Sequence, residues 1–148
     1  MKDLLKQIIL EQHETKHVSR THFVQRHIAD EWLETTEILI ISGIRRCGKS
    51  VLMQQIRDRL QEKDFFFNFD GERLAHFKLD NFQTLQECFV ELYGDQHTYY
   101  FDEIQNIEGW ERFVRRLYNA GNKIIITGSN ARMLSRELGT HLTGRYIQ

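Results

Sequence analysis

The chain has 148 residues, 41% of them hydrophobic and 28% charged, and a formal net charge of −1. This is enough apolar material for one domain with its own core, and it excludes a disordered chain. The near-neutral balance gives no global attraction to nucleic acid.

Residues 1–35 read as a polar helical segment, with Leu4, Leu5, Ile8 and Ile9 as one narrow apolar stripe and Phe23, Ile28 and Trp32 as a second. From residue 36 onward a different pattern begins and runs to 148. EILIISG (37–43) is a short β-branched run ending in glycine, the signal of a buried strand. KSVLMQQIRDRLQEK (49–63) carries Leu52, Ile56 and Leu60 at helical spacing. DFFFNFD (64–70) reads as a second strand, and TLQECFVELYG (84–94) as a helix with Leu85, Cys88, Phe89 and Leu92 on one face. TYYFDE (98–103) is a third strand. GWERFVRRLYNAG (109–121) is a helix with Trp110, Phe113, Val114 and Leu117 inward, stopped by Gly121. KIIITGS (123–129) is a fourth strand and ARMLSRELG (131–139) a short helix. Strands alternating with helices predict an α/β sandwich around a mostly parallel sheet, whose ligands bind at the carboxyl ends of the strands.

The first strand ends in GIRRCGKS, residues 43–50, which fits GxxxxGK[ST] with a strand before it and an amphipathic helix after it. Such a loop wraps phosphates with backbone N–H groups, and glycine permits the dihedrals and close approach this needs. The following helix turns its positive end to the anion. The predicted nucleotide contacts are therefore Gly43, Ile44, Arg45, Arg46, Cys47, Gly48, Lys49, Ser50 and Val51. Lys49 can reach the β- and γ-phosphates, and the Ser50 hydroxyl can ligate Mg²⁺. Arg45 and Arg46 either touch phosphate or are solvated loop residues.

The third strand ends in Asp102-Glu103. A carboxylate there can hold Mg²⁺, and a second one directly after it can orient and deprotonate an attacking water, which favours hydrolysis over transfer to another acceptor. Gln105, two residues on, is either a polar neighbour of the site or an ordinary loop residue, and the loop reading is favoured. At the end of the fourth strand, Ser129 and Asn130 are candidates to bond the γ-phosphate or the water, although Asn130 equally suits a helix N-cap. Arg145 is placed to stabilise transition-state charge, or is simply solvated.

Together GIRRCGKSVLMQQI, YYFDEIQNIEGWERFVRRLY, IIITGSNARMLSRE and LTGRYIQ resemble the AAA-type P-loop ATPase domain of a group of bacterial and archaeal ATP-binding proteins, usually followed by a C-terminal domain of unknown function. The resemblance covers about residues 36–148. It implies a three-layer P-loop NTPase sandwich with strand order 5-1-4-3-2, ATP and Mg²⁺ as cofactors, Gly43–Ser50 as the Walker A loop, Asp102 and Glu103 as Walker B, and Ser129 or Asn130 as the sensor. It also implies Arg145 as the family's trailing arginine. Because RYIQ reads as only the start of a fifth strand, the expectation is a truncated fifth strand and an unpaired edge at the first.

A second motif, HETKH at 13–17, matches HExxH. The third zinc ligand is missing from the spacing, since Arg20 and Phe23 stand where the extended motif needs glycine and histidine, so surface histidines are expected. From Arg112 to Gln148 seven basic residues face one acidic residue, Glu137, which reads as solvated helix faces or a phosphate-binding surface. Two cysteines without a CxxC pair, apolar runs far below membrane-spanning length and the lack of a signal-peptide pattern predict a reducing cytoplasm and no membrane partner. The expected function is Mg²⁺-dependent ATP binding with hydrolysis to ADP and phosphate. The alternatives are a nucleotide-gated interaction module, acting as a homo-oligomer or on a protein partner, and a nucleic-acid-associated ATPase.

Overall fold

Isoleucine- and aromatic-rich runs with little polar interruption suit strands covered on both faces. In the computed structural model, which describes residues 1–19, 28–42, 48–128 and 144–147, they form such strands. Among the described residues β1 (Ile38–Ser42), β2 (Phe66–Asn68), β3 (Thr98–Asp102), β4 (Lys123–Gly128) and β5 (Gly144–Ile147) make one five-stranded sheet. Its order is β2-β3-β4-β1-β5, and every neighbouring pair is parallel.

The unpaired edge expected at the first strand is not found. Gly144–Ile147 run parallel beside β1, with Ile38 opposite Gly144 and Ile41 opposite Ile147. β5 is short, but its four residues match four of the five in β1, so β1 is interior and the edges fall to β2 and β5. Short edge strands are a usual way to limit an exposed ladder.

Side chains alternate across a strand, and the alternation sorts the core into two layers. Ile38, Ile40, Phe67, Tyr99, Phe101, Ile124 and Ile126 pack with α1 (Lys2–Ser19), α4 (Asn81–Tyr93) and α5 (Trp110–Asn119). Leu39, Ile41, Tyr100 and Ile125 pack on the other face with α3 (Lys49–Arg59), joined by Trp32 and Leu33 of α2 (Asp30–Glu34). The result is the three-layer sandwich. The inward residues of α5 are the four expected, and α4 adds Phe82 to Leu85, Cys88 and Phe89. The helix expected at 131–139, and Phe23, lie outside the described residues.

Two details position the ends of the fold. α3 stops at Arg59, short of the expected residue 63, because Arg57 is buried and turns its guanidinium onto the Lys63 carbonyl, 3.1 Å from Nε. The same guanidinium lies 4.3 Å from the Phe66 ring centroid, where cation–π attraction offsets part of its burial. At the opposite edge α1 packs Leu5, Ile8 and Ile9 into the core under α4. Its Gln12 carboxamide then donates to the Asn68 carbonyl and accepts from the Asn68 N–H, each at 3.0 Å, as a neighbouring strand would.

Candidate functional site

The sheet register brings the polar strand ends together. Tyr100 pairs with Ile125 and Phe101 with Ile126, so one step further Asp102 comes alongside Thr127. By alternation both follow Tyr100 and Ile125 onto the α3 face. There Asp102 meets the start of α3. Ser50 Oγ donates to its Oδ2 at 2.7 Å, and Thr127 Oγ1 donates to its Oδ1. Asp102 is 1% exposed. Burial pushes its carboxyl above the ordinary carboxylate range, while the bonds from Thr127 and Ser50 act the other way.

Glu103 leaves the strand in a left-handed conformation, φ 55° and ψ 42°, the only positive φ outside glycine among the described residues. A side chain in this region is strained and persists only where its surroundings hold it. Three contacts do so. The Glu103 N–H donates to Thr127 Oγ1 at 2.9 Å. Lys49 Nζ donates to Glu103 Oε1 at 2.7 Å, and Gln105 Nε2 donates to Oε2 at 2.6 Å. The turn that reverses the carboxylate also removes it from the Asp102 side of the strand, so the two adjacent acids face different partners.

Gly48 stands at φ 82° and ψ 20° as the residue before α3, a conformation glycine adopts without a Cβ clash. Lys49, Ser50 and Val51 form the first helical turn, whose N–H groups have no intrahelical acceptor and favour an anion. Glu103 and Gln105 also border a cavity of about 660 Å³ whose other wall is the segment from Phe69 to Phe77.

The structure thus brings together four of the predicted residues: Lys49, Ser50, Asp102 and Glu103. Gly43, Ile44, Arg45, Arg46, Cys47, Ser129 and Asn130 lie outside the described residues. Arg145 has its backbone in β5 opposite Leu39, and its side chain is outside the description. One residue, Thr127, escaped the sequence reading, and a second, Gln105, takes the less favoured of its two readings. Thr127 passes as a strand residue until the register sets it beside Asp102. Of the two readings of Gln105, the structure supports the site neighbour: the short 3-10 turn Ile104–Asn106 folds it back onto Glu103. The signal available was a polar residue two positions after a carboxylate pair, too weak alone. His13 of HETKH is a packing residue: its Nε2 bonds the Asp64 carbonyl at 3.0 Å and its ring stacks on Tyr93 at 4.8 Å.

The donor set suits Mg²⁺. A hydroxyl and a carboxylate converge with oxygen atoms only, and Mg²⁺ takes one or two such protein ligands, filling its shell with water and phosphate oxygens. Among the described residues no group of three or more His, Cys, Asp or Glu gathers as an all-protein metal cage. No described helix is long and apolar enough to cross a membrane.

The chain also has recognisable relatives. It is 38% identical over 113 residues to uncharacterized protein MJ1544 of Methanocaldococcus jannaschii, a match covering 76% of this chain and 25% of that protein. It is 40% identical over 141 residues to an uncharacterized protein of Haemophilus influenzae, covering 88% and 34%. The chain therefore spans a quarter to a third of the length of these curated relatives. A structure of C. elegans PCH-2 superposes with a TM-score of 0.50 at 12% identity, over 98% of this chain and 43% of the other, a likeness of fold. A family profile described as "AAA domain" matches residues 35–148, the span that carries the GIRRCGKS motif, the Asp102-Glu103 pair and the parallel sheet. On that match, with the strand order and the site geometry beside it, the chain belongs to the AAA family of P-loop ATPase domains.

Proposed function

We propose that this domain binds ATP with Mg²⁺ and hydrolyses it to ADP and phosphate. The observation that carries the reading is the convergence of Ser50 with Asp102 and of Lys49 with Glu103 at the carboxyl end of the sheet. Residues Gly43–Ser50 and Val51 would cradle the phosphates, with Lys49 on the β- and γ-oxygens. Ser50 and Asp102 would hold Mg²⁺, which when bound neutralises charge on the phosphate oxygens. Glu103 would take the proton of the attacking water as its oxygen bonds to the γ-phosphorus. The bond from that phosphorus to the bridging oxygen breaks, and the electron pair leaves with ADP. Ser129 or Asn130 would bond the γ-phosphate or the water, and Arg145 would face the charge that develops in the transition state.

One observation favours a gated variant of this reading. Glu103 is held on Lys49 and Gln105, so triphosphate must displace it from the lysine before it can address a water. The domain would then turn over slowly until a partner or a second copy stabilises the released state. Nucleotide titration and phosphate release test the proposal. Lys49→Ala should abolish ATP binding, and Glu103→Gln should bind ATP without releasing phosphate. Unchanged affinity in the first, or full turnover in the second, would reject the assignment. Addition of candidate partners to wild type separates the gated from the freely turning form.

A further inference from the structure

We propose that Thr127 is a positioning residue for hydrolysis, its one hydroxyl setting both the metal-side carboxylate Asp102 and the backbone that carries Glu103. The inference rests on the hydrolytic reading of the site and adds to it a residue outside the loop, the acidic pair and the sensor position.

Donor and acceptor roles fix the direction of the network. The Glu103 N–H can only donate, so Thr127 Oγ1, 2.9 Å away, accepts. The hydroxyl's own proton is then committed to Asp102 Oδ1, and Ser50 supplies the bond to Oδ2. Both Asp102 oxygens are thereby oriented, one by the start of α3 and the other by β4. Thr127 is 0% exposed, and Asp102 and Glu103 are 1% and 8% exposed, so water is poorly placed to substitute for the hydroxyl. A β-branched side chain also has few rotamers, which keeps the oxygen on this line. The same contact braces a residue in the left-handed region at φ 55°. Without it the chain after Asp102 is free to relax, and the Glu103 carboxylate moves relative to Lys49. One oxygen atom therefore couples two roles that the sequence presents as neighbours but the fold sends to opposite partners.

The variant that isolates the hydroxyl is Thr127→Val, which keeps shape and can neither donate nor accept. Thr127→Ser keeps the hydroxyl and loses the methyl group. The readouts are affinity for a fluorescent ATP analogue with Mg²⁺ and with EDTA, steady-state phosphate release, and the thermal midpoint. Thr127→Val should lower turnover and the Mg²⁺ enhancement of affinity by about tenfold or more, with affinity in EDTA within about twofold of wild type, as expected for loss of bonds to charged and buried groups. Thr127→Ser should keep both functions within about threefold, even where its midpoint falls as far as that of the valine variant. Retention of Mg²⁺ enhancement and turnover in Thr127→Val would overturn the proposal, as would equal loss in valine and serine variants. If Thr127→Val does not fold, Thr127→Ala against Thr127→Ser makes the same comparison with the same outcomes. A wild-type chain with no Mg²⁺ effect on affinity would instead sink the hydrolytic reading itself, whereas a normal wild type with an indifferent valine variant sinks the role of Thr127 alone.

Discussion

The ammonium of Lys49 lies 2.7 Å from Glu103 Oε1, and the two side chains are only 5% and 11% exposed. Charges this dry need a partner, and each gives the other one. A triphosphate would compete for the same ammonium, so part of its binding energy must go to separating the pair. Glu103→Gln removes the charge while keeping a side chain that can bond Gln105. It should bind ATP more tightly than wild type by about 1 kcal/mol, roughly fivefold, alongside its loss of turnover. Calorimetric titration checks this, and weaker binding in the variant would mean that the carboxylate does not restrain the lysine.

Asp102 offers a test by metal removal. Its folded-state carboxyl is shifted above the ordinary value, chiefly by burial, so ionising it costs more in the folded than in the unfolded protein. The sign follows: metal-free wild type is favoured while Asp102 is protonated and loses stability as pH rises through the folded value. Asp102→Asn never ionises, and its amide can still accept from Thr127 and donate to Ser50. In EDTA the variant should be more stable than wild type by about 1 kcal/mol near neutral pH, with the gap closing as pH falls into the carboxylate range. Urea unfolding across pH reads the gap, and adding Mg²⁺ to bound nucleotide should further stabilise wild type but not the variant.

The placing of the four predicted residues was legible because each sits at a fixed offset from a strand end: Lys49 and Ser50 after β1, Asp102 as the last residue of β3 and Glu103 directly after it. The strands themselves were legible because Ile38–Ile41, Tyr99–Phe101 and Ile124–Ile126 are apolar on both faces, as interior parallel strands must be. What the sequence leaves open depends on long-range pairing or on an unusual local turn. Thr127 gains its role only from the β3–β4 register, and Gln105 only from the left-handed turn at Glu103 that reverses its direction. Residues 1–35, read as an N-terminal helical segment, show an apolar stripe too narrow to announce its partner. In the fold Leu5, Ile8 and Ile9 share one core cluster with α4, α5 and the sheet.

Gln12 gives that packing a specific consequence. Its carboxamide bonds the backbone N–H and carbonyl of Asn68 on the outer side of β2, at 3.0 Å each, where the sheet would otherwise end in an open ladder. Gln12→Ala should cost about 1–2 kcal/mol in urea unfolding. Gln12→Glu should fall between alanine and wild type at neutral pH, since a carboxylate can accept from the Asn68 N–H but cannot donate to its carbonyl. An alanine variant as stable as wild type would show that β2 does not depend on this cap.

Cys88 reports on the same interface from the other end of α1. Its thiol is 0% exposed, lies 3.6 Å from the Lys2 carbonyl, and is pushed by burial above the ordinary thiol value. Thiolate is the reactive form, so both accessibility and ionisation protect it. In a Cys47→Ser background, Cys88 should react with a disulfide reagent at least about a hundredfold more slowly in buffer than in urea, at a rate set by opening of α1 from α4. Leu5→Ala removes a fully buried side chain from the α1 stripe and should cost about 2–5 kcal/mol, raising the labelling rate in buffer without changing it in urea. Lys2 and Lys6 both reach Glu91 across the interface, but these pairs are exposed and screened by solvent, so added salt should change the rate far less than Leu5→Ala does. Fast labelling of the folded protein would show that α1 does not stay on α4, and a salt effect as large as that of Leu5→Ala would show that the ion pairs, rather than the apolar stripe, hold it there.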